Sequence, residues 1–119
     1  MRKYKNKKVV LDGKTFASNR EAKRFQKLRL LEQAGAICDL QTQVKFVLIP
    51  AQREPDTQGP RGGIRRGRLI ERECAYIADF CYRDENGFHV EDSKGCRTKD
   101  YVIKRKLMLF VHGIKIEEV

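Results

Sequence analysis

The chain has 119 residues, 40% hydrophobic and 35% charged, enough for one domain with a modest core and a well-solvated surface. Lys and Arg number 26 against 16 Asp and Glu, a net charge of +10 that points to a polyanionic partner, nucleic acid before an anionic membrane surface. No run of about 18 apolar residues offers a membrane span, and no apolar stretch follows the basic start Met1-Arg2-Lys3-Tyr4-Lys5, so neither membrane association nor a secretory signal is expected.

Residues 1–13 read as a basic N-terminal arm that ends in a short extended piece, Val9-Val10-Leu11, and a turn at Asp12-Gly13. Residues 14–119 read as a single domain. Ser18-Asn19-Arg20-Glu21 has capping-box spacing and opens a helix over about 18–34. Ala22, Phe25, Leu28, Leu31 and Ala34 form its apolar stripe, broadened by Leu30, and Gly35 stops it. Val44–Ile49 is β-branched and apolar, a first strand closed by Pro50. Pro55, Gly59, Pro60, Gly62, Gly63 and Gly67 break periodicity over 51–68, which predicts a long, mobile basic loop within a hairpin.

Glu73–Tyr82 is the second strand, Asp84-Glu85-Asn86-Gly87 a hairpin turn, and Phe88–Lys94 the third strand. Thr98 caps a second helix over 99–112, with Ile103, Leu107, Phe110 and Val111 as its expected buried face. Gly113 closes it, and Ile114–Glu117 alternates as a fourth strand. The expected order is α-β-β-β-α-β, an α/β fold with a mixed sheet flanked by helices.

Cys38, Cys74, Cys81 and Cys96 contain no Cys-x-x-Cys pair, and neither His89 nor His112 stands at zinc-finger spacing from them. Four reduced, mostly buried small side chains are expected, with a zinc-organised interaction protein as the alternative. His89 is expected to be exposed, and His112 to suit the helix C-terminus as a cation.

The chemistry concentrates at the second hairpin. Asp92 and Lys94 share strand parity with Phe88 and Val90, which places a carboxylate and an ammonium on an otherwise apolar face. Asp79 lies on the neighbouring strand. Two converging carboxylates repel unless a cation stands between them, and Mg²⁺ takes carboxylate and phosphate oxygens. Lys94 beside such a site could stabilise phosphorane charge or help deprotonate water, which completes the parts for phosphodiester hydrolysis. On residue types alone the alternative stands that Asp79 is a strand-end turn residue and Asp92–Lys94 an exposed pair. Glu91 has the opposite parity, so it is expected on the other face with no metal.

Asp79, twelve intervening residues, then Asp92-Ser93-Lys94 resembles the PD-(D/E)XK nuclease motif, and the element order resembles the restriction-endonuclease-like core. Residues 14–119 also look like a family of small phage and prophage proteins long labelled only as a domain of unknown function. Phe16-Ala17-Ser18, Glu21-Ala22, Arg29-Leu30-Leu31, Leu40, Gln43, Phe46, Tyr76-Ile77-Ala78-Asp79-Phe80 and Glu91-Asp92-Ser93-Lys94-Gly95 carry that likeness. Ala78 stands where the motif's name has Pro. The resemblance implies the fold, metal-dependent nuclease chemistry with Mg²⁺ or Mn²⁺, and a bacterial cytoplasmic setting. It also implies an active-site role for Glu21, as the first-helix acid holding a metal or orienting Lys94. The competing role of Glu21 is the capping box. Its place at i−4 and i−7 from Phe25 and Leu28 turns it to the sheet in either case. Gln43 either reaches the site or makes a plain strand-end hydrogen bond.

Arg61, Arg65, Arg66 and Arg68 fall within eight residues with no acid among them. Lys99, Lys104, Arg105 and Lys106 flank or line the second helix. Such residues position phosphates rather than read bases. The expected function is a metal-dependent DNA endonuclease of phage or prophage DNA processing, monomeric or homodimeric, acting on branched or nicked substrates. A non-catalytic basic nucleic-acid-binding module is the alternative.

Overall fold

A computed structural model describes residues 8–11, 13–93 and 97–119. The expectations for residues 1–7, Asp12, Lys94, Gly95 and Cys96 lie outside the described residues. A short hairpin, β1 (Val9–Leu11) and β2 (Lys14–Phe16), opens the described chain. The extended piece at 9–11 is therefore paired to the domain through Val9–Phe16 and its neighbours.

Helix α1 (Asn19–Gln33) starts where the capping residues place it, with the Ser18 hydroxyl accepting the Glu21 backbone N–H at 3.2 Å. Glu21, Ala22, Phe25 and Leu28 face inward and are buried. Leu30 and Ala34 depart from the expected stripe and are exposed, because the helix packs along Glu21, Ala22, Phe25, Leu28 and Leu31.

The main sheet is built from β3 (Cys38–Ile49), β8 (Cys74–Asp84), β9 (Gly87–Asp92) and β10 (Glu117–Glu118) in the order β10-β9-β8-β3. The β3–β8 and β8–β9 pairs are antiparallel and β10 runs parallel to β9, so the sheet is mixed. Helix α2 (Lys99–His112) precedes β10. Apart from the additions described here, the core follows the expected α-β-β-β-α-β order. β3 begins six residues before the expected strand, since left-handed backbone at Asp39 and Gln43 lets pairing continue through an irregular stretch. The hairpin loop between β8 and β9 is centred on Glu85–Asn86, with Gly87 supplying the positive φ of 120°.

Two cores lie on opposite faces. Phe16, Phe25, Leu28, Phe80 and Tyr82 fill the α1 side, where the Phe16 and Phe25 rings stand 4.8 Å apart. Each such buried aromatic contributes about 1.5–3 kcal/mol relative to exposure. Leu48, Tyr76, Ala78, Val90, Met108 and Ile116 fill the α2 side.

Helix α2 has the expected limits and Thr98 cap, but of the expected buried face only Leu107 packs against the core. Tyr101 and Met108 are buried, while Ile103, Phe110 and Val111 are 56%, 87% and 46% exposed. Two apolar stripes overlap on this helix, and the one that meets Tyr76, Ala78 and Ile116 is the one that packs.

Residues 51–72 form a β-arm where an irregular loop was expected over 51–68. β4 (Gln52–Arg53) pairs with β7 (Leu69–Glu71), and β5 (Thr57–Gln58) with β6 (Ile64–Arg65). Between the two ladders Gly67 passes so close to the other strand that a Cβ there would lie 1.7 Å from the Glu54 carbonyl oxygen.

Glu91, expected off the Asp92 face, is on the α1 face and wholly buried. The Arg24 guanidinium donates to both of its oxygens, at 2.7 and 2.5 Å, and the Tyr82 hydroxyl donates at 2.5 Å. His89 is not exposed as expected. It stacks on Tyr82, and its ring nitrogens meet Asp84 at 2.8 Å and Glu117 at 2.7 Å. The hydrogen bonds to these two carboxylates raise its pKa.

Removing Arg24 leaves a buried carboxylate without its charge partner, a class of change that costs about 3–5 kcal/mol. Arg24→Ala should therefore lower urea-unfolding stability by that order. A loss below about 1 kcal/mol would mean that the pair does not hold α1 to β9.

Candidate functional site

In a regular strand, residues of one parity share a face. β3 and β8 break that rule at the same level. Leu40 packs on the α1 side, whereas Val44 and Phe46, of the same parity, pack on the α2 side. Phe80 and Ala78 divide in the same way. The change of face falls between the pairs Thr42–Phe80 and Val44–Ala78, where Gln43 and Asp79 stand opposite one another. Gln43 has φ 54°, a left-handed conformation uncommon for a residue other than glycine. Such local strain persists only where surrounding structure holds it.

The carboxylates gather at this break. Phe80 pairs with Glu91, so the next step along the hairpin sets Asp79 beside Asp92. Asp79 is partly buried, and its Oδ2 accepts the Ser93 backbone N–H at 2.8 Å and the Ser93 hydroxyl at 3.1 Å. Asp92 is buried, and its Oδ2 accepts the Tyr76 hydroxyl at 2.6 Å. Glu21 arrives from the first turn of α1, where its Oε1 accepts the Gln43 side-chain amide at 2.9 Å. Gln43 thus bonds to a site residue from the middle of a strand rather than its end. Glu21, Gln43 and Asp79, with Lys8, Thr15, Phe16 and Ala17, line an open cleft of about 260 Å³.

The three acids feel one another. Burial, first, and then the negative charges of Asp79 and Asp92 raise the Glu21 pKa, against hydrogen bonds from the Ala17 N–H and Gln43. Burial and the bond to Asp92 push the Tyr76 hydroxyl far above the usual tyrosine range, so it remains a proton donor to Asp92. Among the described residues, no group of three or more His, Cys, Asp and Glu side chains stands in metal-holding geometry. A hard cation needs less: Mg²⁺ is usually held through one or two carboxylates, with waters and substrate phosphate completing its shell. By strand register Asp79 and Asp92 stand side by side on β8 and β9, and their charges add to the effect of burial in raising the Glu21 pKa.

Tyr76 and Ser93 had no role in the sequence reading. A strand tyrosine in an apolar run needs a partner for its hydroxyl, and that rule could have pointed from Tyr76 to the hairpin acids. Nothing local announced that Ser93 would turn both its donors to Asp79.

The expected phosphate-binding residues separate into two places. Arg61, Arg65, Arg66 and Arg68 are exposed on the β-arm. Lys99 and Lys106 are exposed on α2, whereas Lys104 and Arg105 are half-buried, and Arg105 lies 3.5 Å from Glu118. Cys38, Cys74 and Cys81 are free thiols, and Cys38 is exposed rather than buried because it opens a strand at the sheet's edge.

Glu21 has a folded-state pKa above its ordinary 4.5. The folded state therefore binds its proton more tightly, and stability from this group is full below pH 4.5 and declines as pH rises through the folded value. In chelator-treated protein, Glu21→Gln should be more stable than the parent at pH 7, and the gain should vanish below about pH 4.5, near the ordinary carboxyl value. Parallel pH–stability curves for the two proteins would show that the Glu21 carboxyl is not raised in the folded protein.

No helix among the described residues is long and apolar enough to cross a membrane. No curated protein and no solved structure shows a significant match to the chain. A family profile does match, over residues 1–115, and so takes in Glu21, Gln43, Asp79 and Asp92 together. By that match the chain belongs to the family described as "Protein of unknown function (DUF1064)".

Proposed function

We propose that the protein is a divalent-metal-dependent DNA endonuclease with a restriction-endonuclease-like core of the PD-(D/E)XK type. The observation that carries this reading is the adjacency of Asp79 and Asp92 across the β8–β9 hairpin, coupled electrostatically to Glu21. Element order, the cleft at the strand break and the net charge of +10 support it.

Asp79 and Asp92 would hold the cation, with Glu21 nearby. When bound, Mg²⁺ or Mn²⁺ supplies Lewis-acid stabilisation of phosphate charge and a water nucleophile at neutral pH. The chain's own residues prepare the place. Tyr76 fixes one oxygen of Asp92, and the two donors of Ser93 fix Oδ2 of Asp79. Gln43 orients Glu21. Lys94 follows Ser93 in sequence, and the family resemblance gives it the stabilisation of charge on the scissile phosphate. Basic residues on the β-arm and α2 would hold the DNA backbone over the cleft. A phage or prophage role in processing branched or replication-fork DNA, in the bacterial cytoplasm, completes the reading.

Isothermal calorimetry should detect weak Mn²⁺ or Mg²⁺ binding that Asp79→Asn or Asp92→Asn abolishes. Linear, flapped and four-way DNA incubated with Mg²⁺ should include a cleaved substrate. Lys94→Ala should slow that cleavage at least about 10²-fold while DNA binding holds, the scale for losing a positioned charge or proton-transfer group. Unchanged metal binding in both Asp variants would overturn the site. DNA binding indifferent to metal, with no cleavage of any substrate, would favour a binding module instead.

A further inference from the structure

The β-arm stands apart from everything the site explains. The radius of gyration is 18.9 Å, with extents of 58 × 46 × 30 Å. A compact chain of this length would have about 13–14 Å. A two-stranded ribbon whose strands pair with each other contributes to that excess. Among the described residues, the hydrogen bonds of residues 52–71 stay within the arm. Glu54 N–H donates to Arg68 O, Arg53 to Gly67 O, Gly67 N–H to Asp56, and Gly59 N–H to Gly63 O.

A two-stranded ribbon carries little stability of its own, so a partner that covers it would add to its order. Its chemistry identifies the partner. Between residues 57 and 68 stand Arg61, Arg65, Arg66 and Arg68 and no acid. Asp56 is used internally on Gly67, and the ribbon's other acids, Glu54 and Glu71 near its base, are outnumbered by Arg53, Arg61, Arg65, Arg66, Arg68 and Arg72, so its net charge is positive. Dimensions narrow the choice further. Two strands about 4.8 Å apart, with side chains, match the roughly 12 Å width of the B-DNA major groove and exceed the roughly 6 Å minor groove. Ile64, 84% exposed beside the Gly59–Gly63 turn, puts an apolar group where thymine methyls project into that groove.

We infer that the 51–72 ribbon is a major-groove arm that enters duplex DNA, with its arginines on the flanking phosphates. The inference deepens the nuclease reading by naming double-stranded DNA and the groove. Along β3 the arm leaves the sheet six residues beyond Gln43, about 20 Å at strand rise. It therefore grips the duplex away from the phosphate in the cleft.

The test uses the full chain in EDTA, so cleavage plays no part. Duplex affinity, its salt slope and guanine-N7 protection from dimethyl sulfate are compared among three proteins. These are the parent, a chain with Arg61, Arg65, Arg66 and Arg68 changed to Ser, and a chain with 51–72 replaced by Asn-Gly. The parent should protect guanine N7, and both variants should lose that protection. The quadruple variant should lower the salt slope by roughly 3–4, at about 0.9 per phosphate contact, and weaken duplex binding at least about tenfold. If the shortened chain fails to fold, the quadruple variant decides alone. Absent N7 protection by the parent, protection retained in the quadruple variant, or single-stranded DNA losing as much affinity as duplex would each overturn the inference. Self-association that depends on the arm, without any effect on DNA, would also overturn it. Calorimetric metal binding by Asp79 and Asp92 variants is read separately, so the nuclease reading and this one fail independently.

Discussion

The change of face at the level of Gln43 and Asp79, where Gln43 takes left-handed backbone, is the constraint on which the rest of the architecture depends. Two long strands stay paired through it, yet their apolar faces exchange sides. One narrow sheet can then be covered by α1 over one half and α2 over the other. The point of exchange has no apolar side to bury, and the carboxylates occupy it. A site at this level requires no insertion and no separate domain, since it lies where two hydrophobic surfaces hand over to each other.

A second constraint ties the layers together. Arg24 sits one turn along α1 from Glu21, and Glu91 immediately precedes Asp92. Their buried pair, with Tyr82, therefore fixes the helix that carries one acid to the strand that carries another. Replacing such a pair by apolar groups of similar shape is often neutral for stability. Its bidentate geometry, by contrast, admits a single register of helix against strand.

Local signals were legible where local physics decides. The Ser18 and Thr98 caps, the Gly35 and Gly113 stops and the inward turn of Glu21 follow from spacing alone, and the structure has them. Parity likewise separated Glu91 from Asp92. What was not legible depends on partners distant in sequence. The sequence of α2 offers two apolar stripes, and only Tyr76, Ala78 and Ile116 select between them. His89 reads as an exposed strand residue until Glu117 arrives from 28 residues away. The ladders of the arm were hidden because glycine and proline usually mark irregular chain, while here Gly67 permits the close approach of two backbones.

The arm's independence from either core separates two properties that most surfaces share. Residues that pack a core resist change because each change alters stability. Residues 52–71 form their bonds with one another, so the length and composition of the arm can change with little effect on the folded body. Related chains could exchange this segment freely and acquire new preferences for what they hold, while the acid cluster behind it stays constant. Stability and recognition would then be adjusted by different parts of the same short polypeptide.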